Sequence, residues 1–196
     1  MVNTGTIDKY INLWGFKKTN YIKGSYKNPL LKDEDIKKIN PNRLIQASSK
    51  KIIIGGMTKE LECYYDEGKF LAGKSTTIIL EGDKDLKFLL SILNSKLISF
   101  WYGIFFKSLS LAGGFIRIGN NEIKKIPVPD ISKNNQKPLI EIVDKILSIT
   151  NDKNYLENQD KQLKVKEFEK KIDKMVYELY ELTPEEIKIV ESFNKN

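Results

Sequence analysis

Residues 68–75 read Gly-Lys-Phe-Leu-Ala-Gly-Lys-Ser and match the phosphate-binding pattern G-x-x-x-x-G-K-S letter for letter. That chemistry needs more than the letters. The loop must run straight into a helix, whose first N–H groups and dipole hold the phosphates. Here it runs into Thr76-Thr77-Ile78-Ile79-Leu80, a strand pattern, and bulky Phe70 and Leu71 stand where the loop has to wrap tightly. No separate strand ending in Asp follows to hold Mg²⁺. The segment is expected instead to be a β-hairpin with Lys69 and Lys74 near its turn.

Other catalytic patterns fail in similar ways. Nuclease chemistry asks for Pro-Asp followed by (D/E)-x-K around a metal. Pro129-Asp130 and Glu122-Ile123-Lys124 occur in the reverse order, and Glu186-Ile187-Lys188 lies far downstream on an amphipathic helical pattern. Adenine methylation asks for an Asn-Pro-Pro-aromatic loop and a Gly-rich cofactor loop, and the nearest approach is Asn40-Pro41-Asn42. The chain has no histidine and a single cysteine, Cys63. The commonest general base and the commonest zinc ligand are therefore missing together, which removes Ser-His-Asp, Cys-His and zinc hydrolase readings. No catalytic centre and no cofactor bound by this chain are expected.

Binding chemistry remains. The net charge is +7, and it is uneven: residues 1–130 hold 21 Lys+Arg against 13 Asp+Glu, whereas residues 131–196 hold 12 against 13. A polyanion is the natural partner of the first part. Lysine makes up 31 of the 33 basic residues, so a lysine-rich proteome accounts for some of the total but less of the asymmetry. The two arginines, Arg43 and Arg117, stand out, because a planar guanidinium suits a phosphate or a guanine edge; a structural ion pair is the bland alternative.

Four groups of candidate nucleic-acid contacts follow. They are Lys17 and Lys18 with Tyr21 and Lys23; Arg43 with Ser48, Ser49, Lys50 and Lys51; Tyr64, Tyr65, Lys69, Lys74, Ser75 and Thr76; and Arg117 with Asn120, Asn121, Lys124 and Lys125. Lysines and hydroxyls suit phosphates, while Arg and Asn pair bidentately with base edges. Tyr64 and Tyr65 point to opposite faces of a strand, so at least one of them is expected in the core.

The elements that must position these groups are readable in outline. Lys51–Met57, Leu61–Tyr65 and Ser75–Leu80 are rich in β-branched or aromatic residues and read as strands of a small sheet. Asp33–Ile36 is expected to cap a short helical turn ending before Pro41. From Asp83 to Lys107, apolar residues fall at steps of three and four, predicting one long buried helix. Its uncharged run, Leu97–Phe106, is ten residues, against about 20 for a membrane span. No membrane partner is expected, and no secretory signal opens the chain, so the expected location is cytoplasmic. After a boundary near Pro127–Gln136, Leu139–Leu147 and Val165–Leu179 form two amphipathic patterns joined by a polar turn, an antiparallel helical hairpin. A last helix starts at Thr183-Pro184-Glu185-Glu186, with Thr as N-cap, Pro first and Glu third.

Three segments carry a resemblance: LLSILNSKLISFWY (Leu89 to Tyr102), AGGFIRI (Ala112 to Ile118) and IKKIPVP (Ile123 to Pro129). In this order they resemble the TaqI-like C-terminal specificity domain of adenine-N6 DNA methyltransferases, most closely as it occurs in single-chain Type IIG restriction–modification enzymes. TGTIDKYINLWG (Thr4 to Gly15) is similar to the opening of that domain, and KIDKMVYELYELTPEEIKIVE (Lys171 to Glu191) resembles the closing helices of many such enzymes. The resemblance implies recognition of a specific double-stranded DNA sequence. It implies partnership with methyltransferase and nuclease regions, which use S-adenosylmethionine and Mg²⁺ and are not found here. The chain would then be an isolated domain, a gene fragment or a separate specificity subunit.

The resulting expectation is an α+β fold: a small mixed or antiparallel sheet with a long buried helix, followed by a C-terminal helical hairpin. Residues 1–130 are assigned to target recognition, and 131–196 to the hairpin and terminal helix. A protein-interaction module built on the C-terminal helices is the alternative, and a P-loop nucleotide-binding protein a more distant one. The nucleotide reading has a direct test: ATP with Mg²⁺ is expected to leave the melting temperature unchanged, whereas a rise that disappears in Lys74→Ala would restore it.

Overall fold

A computed structural model describes residues 1–193; Asn194–Asn196 lie outside the described residues. Its central element is the strand β5, Lys51–Gly55, every residue of which is buried. Before it come a 3-10 turn (Thr4–Thr6), the hairpins β1 (Ile7–Asp8) with β2 (Ile11–Asn12) and β3 (Thr19–Tyr21) with β4 (Gly24–Tyr26), then the helices α1 (Asp33–Ile39) and α2 (Pro41–Ser48). After β5 come β6 (Met57–Thr58), β7 (Cys63–Asp66) and β8 (Thr76–Leu80). β5 pairs antiparallel with both β7 and β8, in the order β7-β5-β8. Its alternating side chains feed two cores. Ile52 and Ile54 join the main core, while Ile53 joins Val2, Ile7, Tyr64 and Ala72 on the other face.

This order corrects the expected hairpin. β7 and β8 are neighbours in sequence but lie on opposite sides of β5, so residues 67–75 form a crossover along the sheet. The Asp66 carboxylate starts that crossover by accepting from the backbone N–H groups of Lys69 and Phe70, at 3.0 and 3.1 Å. Ser75 leads into a strand, so this G-x-x-x-x-G-K-S segment presents no helix N-terminus to a phosphate.

Lys51 is also corrected. It is fully buried; its Nζ donates to Asp66 Oδ2 at 2.5 Å, to the Ala47 carbonyl at 2.9 Å and to the Ser49 carbonyl at 3.1 Å. Each ammonium hydrogen has a partner inside the protein. This lysine holds β5 to β7 and to the end of α2, and cannot meet a phosphate.

The long helix is two. α3 (Leu86–Leu93) and α4 (Lys96–Phe105) meet at a 63° bend. Asp85 caps α3, accepting from Lys87 and Phe88 N–H, and Ser95 Oγ caps α4, accepting from Ile98 N–H at 3.3 Å. Between them the chain leaves the helical course at Ser95, which is extended, while Asn94 keeps a helical backbone and turns its side chain to β7. Its amide accepts from Cys63 N–H at 3.1 Å and donates to the Cys63 carbonyl at 3.0 Å. Apolar periodicity runs through the break because both helices bury a face in the same core. Among the described residues, no single helix is long and apolar enough to cross a membrane.

Beyond α4 lie β9 (Ile116–Arg117), α5 (Asn120–Ile123), α6 (Lys133–Thr150), α7 (Gln159–Leu179) and α8 (Pro184–Ser192). β9 pairs with β6, placing Arg117 opposite Met57. The buried Tyr102 hydroxyl of α4 donates to the Ile116 carbonyl at 3.1 Å, tying β9 to the core. Leu139, Val143 and Ile146 of α6 and Val165, Ile172 and Val176 of α7 share the main core with Ile52, Phe88 and Tyr102. α8 starts with the expected cap: Thr183 Oγ1 accepts from Glu186 N–H, and Thr183 N–H donates to Glu186 Oε2 at 2.7 Å. The fold is α+β, with small antiparallel sheets and a C-terminal helical region.

Removing one partner of a buried ion pair leaves an uncompensated charge and costs about 3–5 kcal/mol. Lys51→Met is expected to lower stability by about that much in urea titration. A loss near zero would show that the pair does not hold β5 to β7.

Candidate nucleic-acid interface

One threonine gathers most of the candidate contacts. Thr4 lies in a single 3-10 turn just before β1. Its N–H donates to Ser75 Oγ at 3.2 Å, and its hydroxyl donates to the Ser75 carbonyl. Gly56 N–H sits between them, donating to Thr4 Oγ1 and to the Ser75 carbonyl, both at 3.1 Å. Ile118 N–H donates to the Gly56 carbonyl at 3.1 Å. A Cβ on Gly56 would lie 2.4 Å from the Ser75 carbonyl oxygen, so only glycine permits this approach. The neighbouring Asn3 extends the clasp, its Nδ2 donating to the Asn20 carbonyl of β3 at 3.0 Å.

The clasp brings together the end of the crossover (Lys74, Ser75, Thr76), the β6–β9 pair with exposed Arg117, and the β3–β4 hairpin that follows Lys17 and Lys18. Asn120 and Asn121 open the short helix α5, and Lys124 and Lys125 follow it; all four are exposed. Lys59 adds a cation that composition alone did not single out, its Nζ standing 5.4 Å from the centre of the Phe115 ring. This edge therefore offers charge, hydroxyls, an arginine and two amides on a backbone fixed from beneath.

The remaining candidates lie elsewhere. Lys50 and Lys69 sit by the Lys51–Asp66 end of the sheet, away from the Gly55–Thr76 end where the clasp forms. Lys50 is 3.8 Å from Glu67. Arg43 is half-buried; one guanidinium nitrogen donates to the Ala72 carbonyl and another to Gln46 Oε1 at 3.4 Å, so it props the crossover from α2. Tyr64 and Tyr65 are both buried, on opposite faces of β7 and in different cores. Thr4 and Asn3 went unnoticed in the sequence, where a Thr-Gly-Thr turn carries no sign of a partner 71 residues away.

The look-alike catalytic groups have structural duties. Asp130 is exposed and accepts from Lys84 Nζ at 2.7 Å, which holds its carboxyl below the ordinary value. Glu122 accepts from Gly119 N–H at 2.8 Å at the start of α5. Among the described residues, no group of three or more His, Cys, Asp or Glu is placed to hold a metal. Among the described residues, two cavities stand out. One, of about 260 Å³, is bordered by Lys9, Glu60, Lys96, Glu169 and Asp173. The other, of about 280 Å³, is bordered by Trp14, Tyr64, Phe70 and Tyr155.

Fold and site together define an α+β module whose basic loops are fastened to one edge. The model of the TaqI-like C-terminal specificity domain matches residues 4–128, more than half of the chain, and the chain belongs to that family. Such domains are the DNA sequence-specificity part of restriction–modification enzymes. The match opens at Thr4 and closes at Val128, so it takes in Thr4, Gly56, Ser75 and Ile118 and stops before α6. A comparison with curated proteins returned no match.

Acidic groups lie behind this edge. Burial, with Asp8 and Glu60 adding repulsion, raises the Glu62 carboxyl from 4.5 to about 7, against the opposing pull of Lys17 and Lys9. Burial also raises Glu169 and Asp173. A carboxyl that keeps its proton longer when folded makes the fold more stable at low pH, and that advantage is lost as pH rises from the unfolded value to the folded one. Stability is thus expected to fall between about pH 4.5 and about pH 7, and Glu62→Gln to shrink the fall. Denaturation midpoints at the two ends of that window measure it; an equal fall in both proteins would clear Glu62 of the effect.

Proposed function

We propose that this chain reads a specific sequence in double-stranded DNA and directs the methyltransferase or nuclease region of the same or a companion polypeptide to it. The Thr4 clasp supports the proposal, because it ties Ser75 to Gly56, whose neighbour Met57 pairs with Arg117. In this reading Arg117 and the asparagines contact base edges, while Lys17, Lys18, Lys74, Ser75, Thr76, Lys124 and Lys125 contact phosphates. Lys50 and Lys69 contribute at the margin, and Arg43 acts by supporting the crossover. Catalysis, with its S-adenosylmethionine and Mg²⁺, belongs to the partner region, and the Type IIG adenine-N6 system is the arrangement we favour. The interaction-module alternative has less support, because α6 and α7 direct their main apolar faces into the chain's own core.

Sites selected from random duplexes provide the test. If about six lysines neutralise phosphates, binding should weaken with a log–log salt slope of about −5. Arg117→Ala should cost about 1–3 kcal/mol and relax preference at one position, whereas Lys74→Ala should weaken all duplexes alike and reduce the slope by about 1. Absence of any retardation at low salt would sink the reading.

A further inference from the structure

The β3–β4 hairpin has a feature that the contacts above do not use. Register pairs Tyr21 with Gly24, leaving Ile22 and Lys23 as a two-residue turn. Ile22 has φ +55°, and Lys23 is not among the positive-φ residues. A positive φ at the first turn position alone is the type II′ pattern, where glycine is the usual occupant. A β-branched side chain there is strained. Packing does not offset the strain, because Ile22 is 88% exposed. The aromatic rings on either side are also open: Tyr21 is 45% exposed, and Tyr26, lying across Gly24, is 50% exposed.

The surroundings indicate what would meet this tip. From Lys9 to Lys32 the chain holds six lysines and no carboxylate. Lys17, Lys18, Lys23 and Lys27 are exposed, and none forms a salt bridge among the described residues. An apolar tip on a protein-binding surface would need an apolar partner and gain little from such charge. A duplex supplies phosphates for the lysines and stacked apolar base faces for the tip. The base of the hairpin is anchored, with Thr19 fully buried and Asn20 held by Asn3, next to Thr4. The isoleucine is therefore carried on a fixed mount beside the edge that bears Arg117.

We propose that Ile22 is a wedge that enters the duplex between two base pairs while the neighbouring lysines grip the phosphates on either side. Apolar side chains inserted at a base step partly unstack it and kink the duplex, offsetting that cost by the surface they bury. The proposal rests on the DNA-recognition reading above and adds to it a step that is opened as well as read. It predicts sensitivity to local duplex stability at a position where no base edge is contacted.

A series of duplexes carrying the selected site, with a single mismatch moved one step at a time across the footprint, tests this with the full chain. A mismatch lowers the unstacking cost, so wild-type affinity should rise about tenfold where the mismatch meets the wedge. Ile22→Gly and Ile22→Asn suit a positive φ, so both should melt no lower than the wild type and lose the affinity peak. A flat wild-type profile, or a peak that survives in either variant, would overturn the wedge and leave sequence reading intact. Failure of the wild type to bind any duplex would overturn both.

Discussion

A strand buried on both faces has to be covered twice, and β5 imposes that demand on the rest of the chain. Ile52 and Ile54 are covered by a core built from α3, α4, α6 and α7. Ile53 is covered by much less: Val2, Ile7, Tyr64 and Ala72, with Trp14, Phe70 and Ile78 at the margin. The helical side is thick and the other side thin. The thin side consists of the N-terminal segment and the crossover, and these are the parts that reach the basic edge. The helical core and the basic edge are thereby divided between the two faces of one strand.

The two ends of β5 are closed by different chemistry. At Lys51, a buried ammonium is neutralised by Asp66 and two carbonyls, so charge is confined and unavailable to a partner. At Gly55–Gly56, neutral hydroxyl and backbone groups make the closure through Thr4 and Ser75, which leaves the nearby cations exposed. Lysine at one end stabilises the fold; lysine at the other is free to bind. Composition cannot separate these roles, because the same residue type serves both.

Local features of the fold were legible in the sequence. The Ile-rich run of β5, the aromatic β7 and the Thr-Thr-Ile-Ile-Leu of β8 read as strands because β-branched and aromatic side chains suit a buried pleat. Thr183-Pro184-Glu185-Glu186 read as a helix start because its cap is made within four residues. Decisions made by distant partners were hidden. The helix breaks at Ser95 inside an unbroken apolar period, and the Asn94 amide beside the break finds Cys63, 31 residues earlier. β5 separates β7 from β8, so sequence neighbours that looked like a hairpin never pair. For the site, Arg117, Asn120 and Asn121 are exposed, whereas Arg43 faces a carbonyl that no pattern announces.

The side chain of Asn94 has a further effect. A primary amide repeats the donor and acceptor of a peptide group, and this one presents both to the outer side of β7. Tyr10 N–H also donates to the Cys63 carbonyl, at 3.0 Å. At Cys63 the sheet therefore meets a counterfeit strand one residue long and has nothing left to offer a real one. An open row of N–H and C=O groups is a template on which other chains can pair and aggregate. By ending the row at Cys63 with a side chain, the protein closes one point on the β7 edge to a further strand.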